Sequence, residues 1–156
     1  MNQPDGDGPA ALAARAAGLD VTVTRHGPVN SLAEAAAARG VQPRDIVKTM
    51  VVRRANDDYL FVLVPGDAEI AWPKLRALLG VSRLSMPDAD TAREVTGYGR
   101  GTITPFGSTT AWPVYADERM LGARIAMGAG EHGYSAWVLA DDLVRGFGAT
   151  VADISD

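Results

Sequence analysis

Short apolar runs bounded by Gly, Pro, Asn or Asp recur along the chain and predict β-strands. The run 134–139 (YSAWVL) is typical, because aromatic and β-branched residues follow one another there without a helical repeat. Residues 54–58 separate two such runs and predict a hairpin with a loop of five residues. The predicted strands cover residues 21–24, 45–53, 59–64, 82–86, 112–116, 124–127 and 134–139.

Signals for the start and end of helices fall between these runs. Ser31 and Glu34 have the spacing of a capping box, and Asp88 and Asp141 are candidate N-caps. Gly80 is one of several glycines placed to end a helix in the left-handed conformation. The predicted helices cover residues 10–17, 32–39, 73–79, 88–96 and 141–146.

Strands outnumber helices in this pattern, and most neighbouring strands are joined by short turns. That pattern predicts a mixed α/β fold with a curled, mixed or antiparallel sheet surrounded by helices. The length of 156 residues corresponds to one domain. Residues 1–9 are polar and predict a mobile tail, so the single domain is expected over residues 10–156.

Composition excludes several classes of protein. The net charge of −4 leaves no general polycation that could coat nucleic acid, so any nucleic-acid contact must be local. The absence of Cys excludes disulfides, thiolate metal sites and cysteine nucleophiles. No apolar stretch reaches about 18 residues, and the first ten residues carry no basic side chain. Neither a membrane span nor a signal peptide is therefore expected, and the protein should be cytoplasmic.

Lysine is scarce, with only Lys48 and Lys74 beside 13 Arg. In the predicted strand Lys48 shares an apolar face with Met50 and Val52, because side chains alternate. In one interpretation the strand lies at a sheet edge and the amine reaches water along its stem. In the other the amine lies in a pocket, where it could be a base, a Schiff-base nucleophile or a focused positive charge.

Residues 97–107 (GYGRGTITPFG) form the second candidate for chemistry. Four glycines allow the backbone to approach a ligand closely, and Pro105 fixes the local φ. This segment predicts a preorganised wall with free backbone N–H groups. The alternative is an ordinary surface loop.

Two other patterns do not indicate a site. Residues 128–133 match G-x-G-x-x-G, but the strand-like run that follows favours a hairpin turn over a dinucleotide site. His26 and His132 stand without His or Cys at ligand spacing, so neither a metal nor another cofactor is expected. His26 is interpreted as a loop residue, with lining of a site as the alternative.

Residues 46–50 (IVKTM) followed by GTITPFG at 101–107 resemble the YbaK and prolyl-tRNA synthetase editing-domain family. The G-x-x-x-P signature of that family corresponds to Gly101 and Pro105, and the resemblance extends over nearly the whole chain. It implies a mixed α/β fold around a barrel-like sheet. It also implies trans-editing, the hydrolysis of the ester that joins a wrong amino acid to the 3′ end of a tRNA.

The resemblance implies catalytic roles for Lys48 and Gly101. Lys48 would orient the phosphate or hydroxyls of the terminal adenosine, or act on water, and backbone N–H groups near Gly101 would hold the ester. The substrate-binding residues would be His26, Thr49, Thr102, Ile103, Thr104, Pro105 and Ser135. Some cysteine-selective relatives carry an acidic residue where this chain has Ser135, which leaves the amino acid selectivity open.

The function expected from the resemblance is a deacylase for tRNA carrying a small amino acid, such as cysteinyl- or alanyl-tRNA(Pro). Its partners would be the acceptor end of the mischarged tRNA and an aminoacyl-tRNA synthetase, with no cofactor, metal or membrane. Phosphate contacts from Arg53, Arg54 and Arg100 would be salt-dependent. The alternative is a noncatalytic module that binds an amino acid, a nucleotide or a tRNA end in the same pocket.

Overall fold

The computed structural model describes residues 8–25, 34, 36–37 and 40–156. The helices are α1 (Pro9–Ala16), α2 (Trp72–Leu79), α3 (Ala89–Thr96) and α4 (Ala140–Phe147), and short 3-10 turns cover Pro43–Asp45 and Glu118–Met120. The strands are β1 (Thr22–Arg25), β2 (Val47–Ala55), β3 (Asp58–Pro65), β4 (Val114–Asp117), β5 (Arg124–Gly128), β6 (Tyr134–Leu139) and β7 (Thr150–Ala152). The fold is mixed α/β, as the sequence predicts.

The described strands form two separate sheets. The first has the order β1-β6-β5 and is antiparallel throughout. The second has the order β2-β3-β4-β7, in which β2 and β3 are antiparallel while β3, β4 and β7 are parallel. Neither sheet closes on itself within the described residues, so the expected barrel-like sheet is not confirmed. Among the described residues one bridge, Ile46 to Ala126, joins the two sheets, and a closed barrel needs a continuous ladder there.

Strand β3 separates the two hydrophobic cores. It is buried along almost its whole length because alternate side chains enter opposite cores. Phe61 and Leu63 pack in the larger core, which includes side chains of the first sheet. Leu60 and Val62 pack in the smaller core with Leu75 of α2.

Some predicted elements differ from the structure. The β2–β3 hairpin has a two-residue turn at Asn56 and Asp57, and not the predicted loop of five, because the ladder continues to Ala55 and Asp58. Asp57 adopts a φ of +56°, which such a tight turn requires. Residues 82–86 form no strand, and only Ser85 makes a β-bridge, to Arg53. Strand β7 was not predicted from the sequence.

The ends of the helices agree with the sequence predictions more closely than these strands do. Asp88 caps α3 through its side chain, and Gly80 and Gly97 end α2 and α3 in the left-handed conformation. Helix α4 has Leu139, not Asp141, at its N-cap position, and Gly148 ends it. Most of the predicted helix 32–39 and of the predicted tail lies outside the described residues, although α1 already begins at Pro9. No described helix is long and apolar enough to cross a membrane.

Candidate functional site

A cavity of about 1200 Å³ lies where the two sheets diverge from the Ile46 to Ala126 bridge. Strand β2 forms one wall, and the β5–β6 hairpin forms the opposite wall. The loop after α3 and the residues at the N-terminus of α3 complete the lining. The size exceeds that of most small-molecule pockets, so an aminoacyl group and a nucleoside can fit together.

Strand β2 presents a free edge to this cavity. It is the edge strand of its sheet, and among the described residues the bridges on its outer side are at Arg53 and at Ile46, which directly precedes the strand. Arg53 exchanges both backbone hydrogen bonds with Ser85, so the alternation of a strand directs the N–H and C=O of Thr49 and Val51 outward as well. Residues 46–51 all line the cavity. Polar backbone groups are therefore available to a ligand along this edge.

Thr49 is one of the residues of β2 that line the cavity. Its hydroxyl oxygen is buried and has no hydrogen-bond partner within the described part of the chain. Because side chains alternate along a strand, Thr49 and Lys48 point to opposite faces of β2. Both residues nevertheless line the cavity, since a cavity at a strand edge is reached from both faces of the strand.

Lys48 lies on the face of β2 that carries Met50 and Val52, as predicted. Its side chain is 30% exposed and contributes to the lining of the cavity. The amine donates to the carbonyl oxygen of Ala68 at 2.6 Å and lies 3.3 Å from a carboxylate oxygen of Glu69. The strand is thus at an edge, as one interpretation proposed, but the amine has protein acceptors as partners.

The loop that follows α3 packs on the β5–β6 hairpin through backbone and aromatic atoms. A Cβ on Gly128 would come within 2.5 Å of the carbonyl oxygen of Ile103, and one on Gly130 within 2.7 Å of the Tyr98 ring. Tyr98 donates its hydroxyl to the carbonyl of Phe106 at 2.5 Å, and burial raises the pKa of this hydroxyl. Glycine on the hairpin therefore sets how closely the loop approaches it.

Within this loop, Gly101 and Ile103 line the cavity. Gly101 has a φ of +86°, a conformation that favours glycine. Thr102 donates its amide to the carbonyl of Gly99, whereas the amides of Gly101 and Ile103 donate to no backbone carbonyl of the described residues. Two N–H groups, on either side of Thr102, are therefore without a backbone acceptor at residues that line the cavity.

The other predicted loop residues have contacts inside the loop. The Thr102 hydroxyl donates to the carbonyl of Gly99 at 2.6 Å, and the Thr104 hydroxyl accepts the amide of Phe106 at 3.3 Å. Thr102, Thr104 and Pro105 are buried and are not among the described residues that line the cavity. Their position indicates that they shape the loop.

The β5–β6 hairpin supplies the opposite wall. Ser135 is buried at the start of β6 and lines the cavity. The glycine-rich segment 128–133 is a hairpin turn followed by a strand, as predicted. His132 on this turn is exposed, lines the cavity, and places its Cε1 3.6 Å from where a Cβ on Gly101 would lie. His132 was not predicted as a site residue, since no spacing within the sequence relates it to Gly101.

Charged side chains of both signs surround the cavity. Arg25 and Arg100 contribute positive charge, while Asp88 and Glu131 contribute negative charge. Hydrogen bonding from the Thr91 amide lowers the pKa of Asp88, which caps α3. The lining can therefore contact both a phosphate and an ammonium group.

The predicted substrate-binding residue His26 lies outside the described residues, so its place at the site stays a prediction. Within the described part of the chain, no group of three or more His, Asp or Glu side chains is placed to hold a metal ion.

Residues 26–145 match the model of the aminoacyl-tRNA editing domain family. The proline–tRNA ligase of Heliobacterium modesticaldum is 43% identical over 94 residues, which are 60% of this chain and 16% of that protein. The proline–tRNA ligase of Bacillus licheniformis is 31% identical over 107 residues, 68% of this chain and 18% of that protein. This chain thus spans less than a fifth of these curated relatives.

The fold also matches a solved structure. A crystal structure described as a candidate trans-editing enzyme for prolyl tRNA synthetase has a TM-score of 0.89 and 26% sequence identity to this chain. The match covers 100% of this chain and 99% of that chain.

Proposed function

Because this chain belongs to the aminoacyl-tRNA editing domain family, we propose that it is a trans-editing deacylase that hydrolyses the ester of a mischarged tRNA. One observation carries the proposal: a single cavity is lined by the free edge of β2, with Thr49, and by Gly101 and Ile103, whose amides donate to no backbone carbonyl of the described residues. Ester hydrolysis needs a positioned water and donors for a developing oxyanion. Groups suited to both tasks surround this cavity.

In the proposed reaction, water adds to the carbonyl carbon of the aminoacyl ester. The amides of Gly101 and Ile103 donate to the oxyanion that forms, and the hydroxyl of Thr49 holds the water or the ester. The bond from the carbonyl carbon to the ribose oxygen then breaks, and that oxygen takes the proton that the attacking water gives up. The products are the free amino acid and the tRNA.

We assign Lys48 the role of a fixed positive charge that contacts the terminal nucleotide. Its amine already acts as a hydrogen-bond donor toward Ala68 and Glu69, which fixes its position. A phosphate or hydroxyl oxygen of the terminal adenosine is an acceptor of the kind that an ammonium group binds. This role is favoured over that of a base for these geometric reasons.

The amino acid is proposed to be small, with alanine and cysteine as the first candidates. Backbone atoms of the Gly101 loop line the cavity together with the small residue Ser135, and a rigid wall excludes larger groups by steric clash. The similarity to proline–tRNA ligases and to a candidate trans-editing enzyme makes tRNA(Pro) the first tRNA to test and a prolyl-tRNA synthetase the first partner.

The experiment is a panel of tRNA(Pro) species charged with Ala, Cys, Ser, Pro and Leu, each assayed for enzyme-dependent release of the amino acid. We expect faster release of Ala or Cys than of Leu. Binding of these tRNAs without release of any amino acid would contradict the deacylase and favour a noncatalytic binding module. Preferential release of Leu would contradict the proposed preference for a small amino acid but would leave the deacylase activity in place.

A further inference from the structure

A second concave surface, here called the arginine groove, lies at the opposite end of β2 from Thr49. It has a volume of about 600 Å³ and contains no carboxylate among its described lining residues. Four arginines line it, namely Arg53, Arg54, Arg76 and Arg83. A chain of net charge −4 thus concentrates four of its 13 arginines in one groove. Such a local positive surface attracts polyanions although the whole protein does not.

The four arginines differ in how far their charge is already compensated. Arg54 forms an ion pair with Asp58 at 3.0 Å, and Arg53 donates to the side chain of Asn56. Arg76 and Arg83 form no ion pair with any described residue. Arg83 is exposed and Arg76 is half-buried at the end of α2. Their guanidinium groups are therefore available to an external anion.

The groove and the cavity are lined by consecutive residues of one segment. Residues 82–85 line the groove, and the next residues, 86–89, line the cavity. Two backbone hydrogen bonds between Arg53 and Ser85, of 2.7 and 3.1 Å, attach this segment to β2. Along the strand, Thr49 and Arg53 are about 13 Å apart. Met86, which is 48% exposed, lies where the two surfaces meet.

We infer that the arginine groove binds the phosphate backbone of the RNA immediately adjoining the 3′-terminal nucleotide, while that nucleotide occupies the cavity. The inference rests on the proposed function. A guanidinium binds phosphate oxygens through paired N–H donors, and an RNA strand carries a phosphate at every nucleotide. An RNA 3′ end seated in the cavity needs a continuous path along the protein, and the groove provides a basic path that begins at residue 85.

The test compares Arg76→Gln/Arg83→Gln with Arg93→Gln/Arg145→Gln. The control pair removes the same charge from exposed positions on α3 and α4 that line neither the groove nor the cavity. For each protein the affinity for unacylated tRNA(Pro) is measured over a range of KCl concentrations. Hydrolysis of alanyl-tRNA(Pro) and of the alanyl ester of a CCA trinucleotide is measured in parallel, and melting temperatures confirm folding.

We expect the groove variant to bind tRNA about tenfold more weakly than the control, with a raised KM and an unchanged kcat for alanyl-tRNA. The dependence of log affinity on log salt should become shallower by one to two, since about 0.7 to 0.9 counterions are released per phosphate contact. Hydrolysis of the trinucleotide ester should change less than that of the full tRNA. Inorganic phosphate at millimolar concentration should not displace the tRNA.

Equal affinity and equal salt dependence in the two double variants would overturn the inference, whether or not the esters are hydrolysed. Displacement of tRNA by millimolar inorganic phosphate would also overturn it, by indicating a site for a free anion. If wild-type protein hydrolyses no ester but the groove variant still loses tRNA affinity, the proposed function fails and the groove remains an RNA-binding surface.

Discussion

The hydroxyl of Thr49 is buried beside the cavity without a partner among the described residues, and such a group destabilises a folded protein unless a ligand satisfies it. Ser108 is its natural counterpart, because its hydroxyl is likewise buried without a described partner but does not line the cavity. Comparison of the two positions separates a role in binding from a role in folding.

Thr49→Val should raise the free energy of unfolding by up to about 1 kcal/mol while lowering kcat/KM for alanyl-tRNA at least about tenfold. Val has nearly the same shape but removes the hydroxyl that we place on the water or the ester. Ser108→Ala should leave kcat/KM unchanged. Denaturant unfolding and steady-state deacylation measure the two effects, and full activity of Thr49→Val would remove the hydroxyl from the mechanism.

Lys48→Ala should reduce kcat/KM about 100-fold or more, because a fixed charge near the terminal nucleotide is lost. The free energy of unfolding should fall by no more than about 1 kcal/mol, since a partly exposed ion pair contributes little. Removal of the amine is not expected to stabilise the fold, because the amine of Lys48 donates hydrogen bonds to Ala68 and Glu69. Lys74→Ala removes an ion pair with Asp153 outside the cavity and should keep the wild-type rate. Similar rates for Lys48→Ala and Lys74→Ala would contradict the assigned role.

At the scale of elements, the loop after α3 depends on a glycine with a positive φ at the cavity wall. Gly101→Ala should cost about 1–2 kcal/mol of stability through backbone strain and should lower deacylation of alanyl-tRNA at least about tenfold. Gly148→Ala is the control, because Gly148 also has a positive φ but ends α4 with open space around it. It should lose similar stability and retain its activity.

Circular dichroism measures the loss of stability in these variants. The ratio of kcat/KM values for alanyl- and leucyl-tRNA measures the change in deacylation. Pro105→Ala is included as a second change in the same loop. Wild-type rates and wild-type preference in both Gly101→Ala and Pro105→Ala would mean that the loop is a surface connection.

The cap of α3 adds a dependence of stability on pH. The Thr91 amide lowers the pKa of Asp88, so the charged carboxylate stabilises the folded state at pH values above its unfolded pKa of about 4. That stabilisation is lost as the pH falls through the lower folded pKa. Asp88→Asn keeps an oxygen acceptor for the cap but cannot titrate. The melting temperature of the wild type should therefore exceed that of Asp88→Asn most clearly above pH 4, and the difference should shrink below it. A difference that is constant with pH would contradict this account.

At the scale of the whole molecule, the proposed chemistry needs no metal ion or other cofactor. Exhaustive dialysis against EDTA should leave the rate of hydrolysis of a CCA alanyl ester unchanged. The short ester is chosen because a full tRNA requires divalent cations for its own folding. Loss of activity that one divalent cation restores would show that a metal is needed.

The sequence by itself determined most local features. Strand β6 spans the predicted residues, and Asp88, Gly80 and Gly97 occupy the predicted helix ends, because capping and alternation depend on neighbouring residues. The face that Lys48 shares with Met50 and Val52 followed from the same alternation. The motif around Gly101 and Pro105 identified the family, which the match to the editing-domain model confirms.

Only the tertiary structure decided how these elements form a site. One edge of β2 remains free, and neither described sheet closes. Both features depend on pairings between strands that are far apart in the sequence. The same long-range packing brings His132 next to Gly101 and directs the amine of Lys48 to Ala68. Alternation assigns a side chain to a face of its strand, but the partners beyond that face follow from the packing of separate elements. For that reason Lys48 and Thr49 were both candidates from the sequence, whereas the partners of the Lys48 amine and the burial of the Thr49 hydroxyl became clear only in the folded protein.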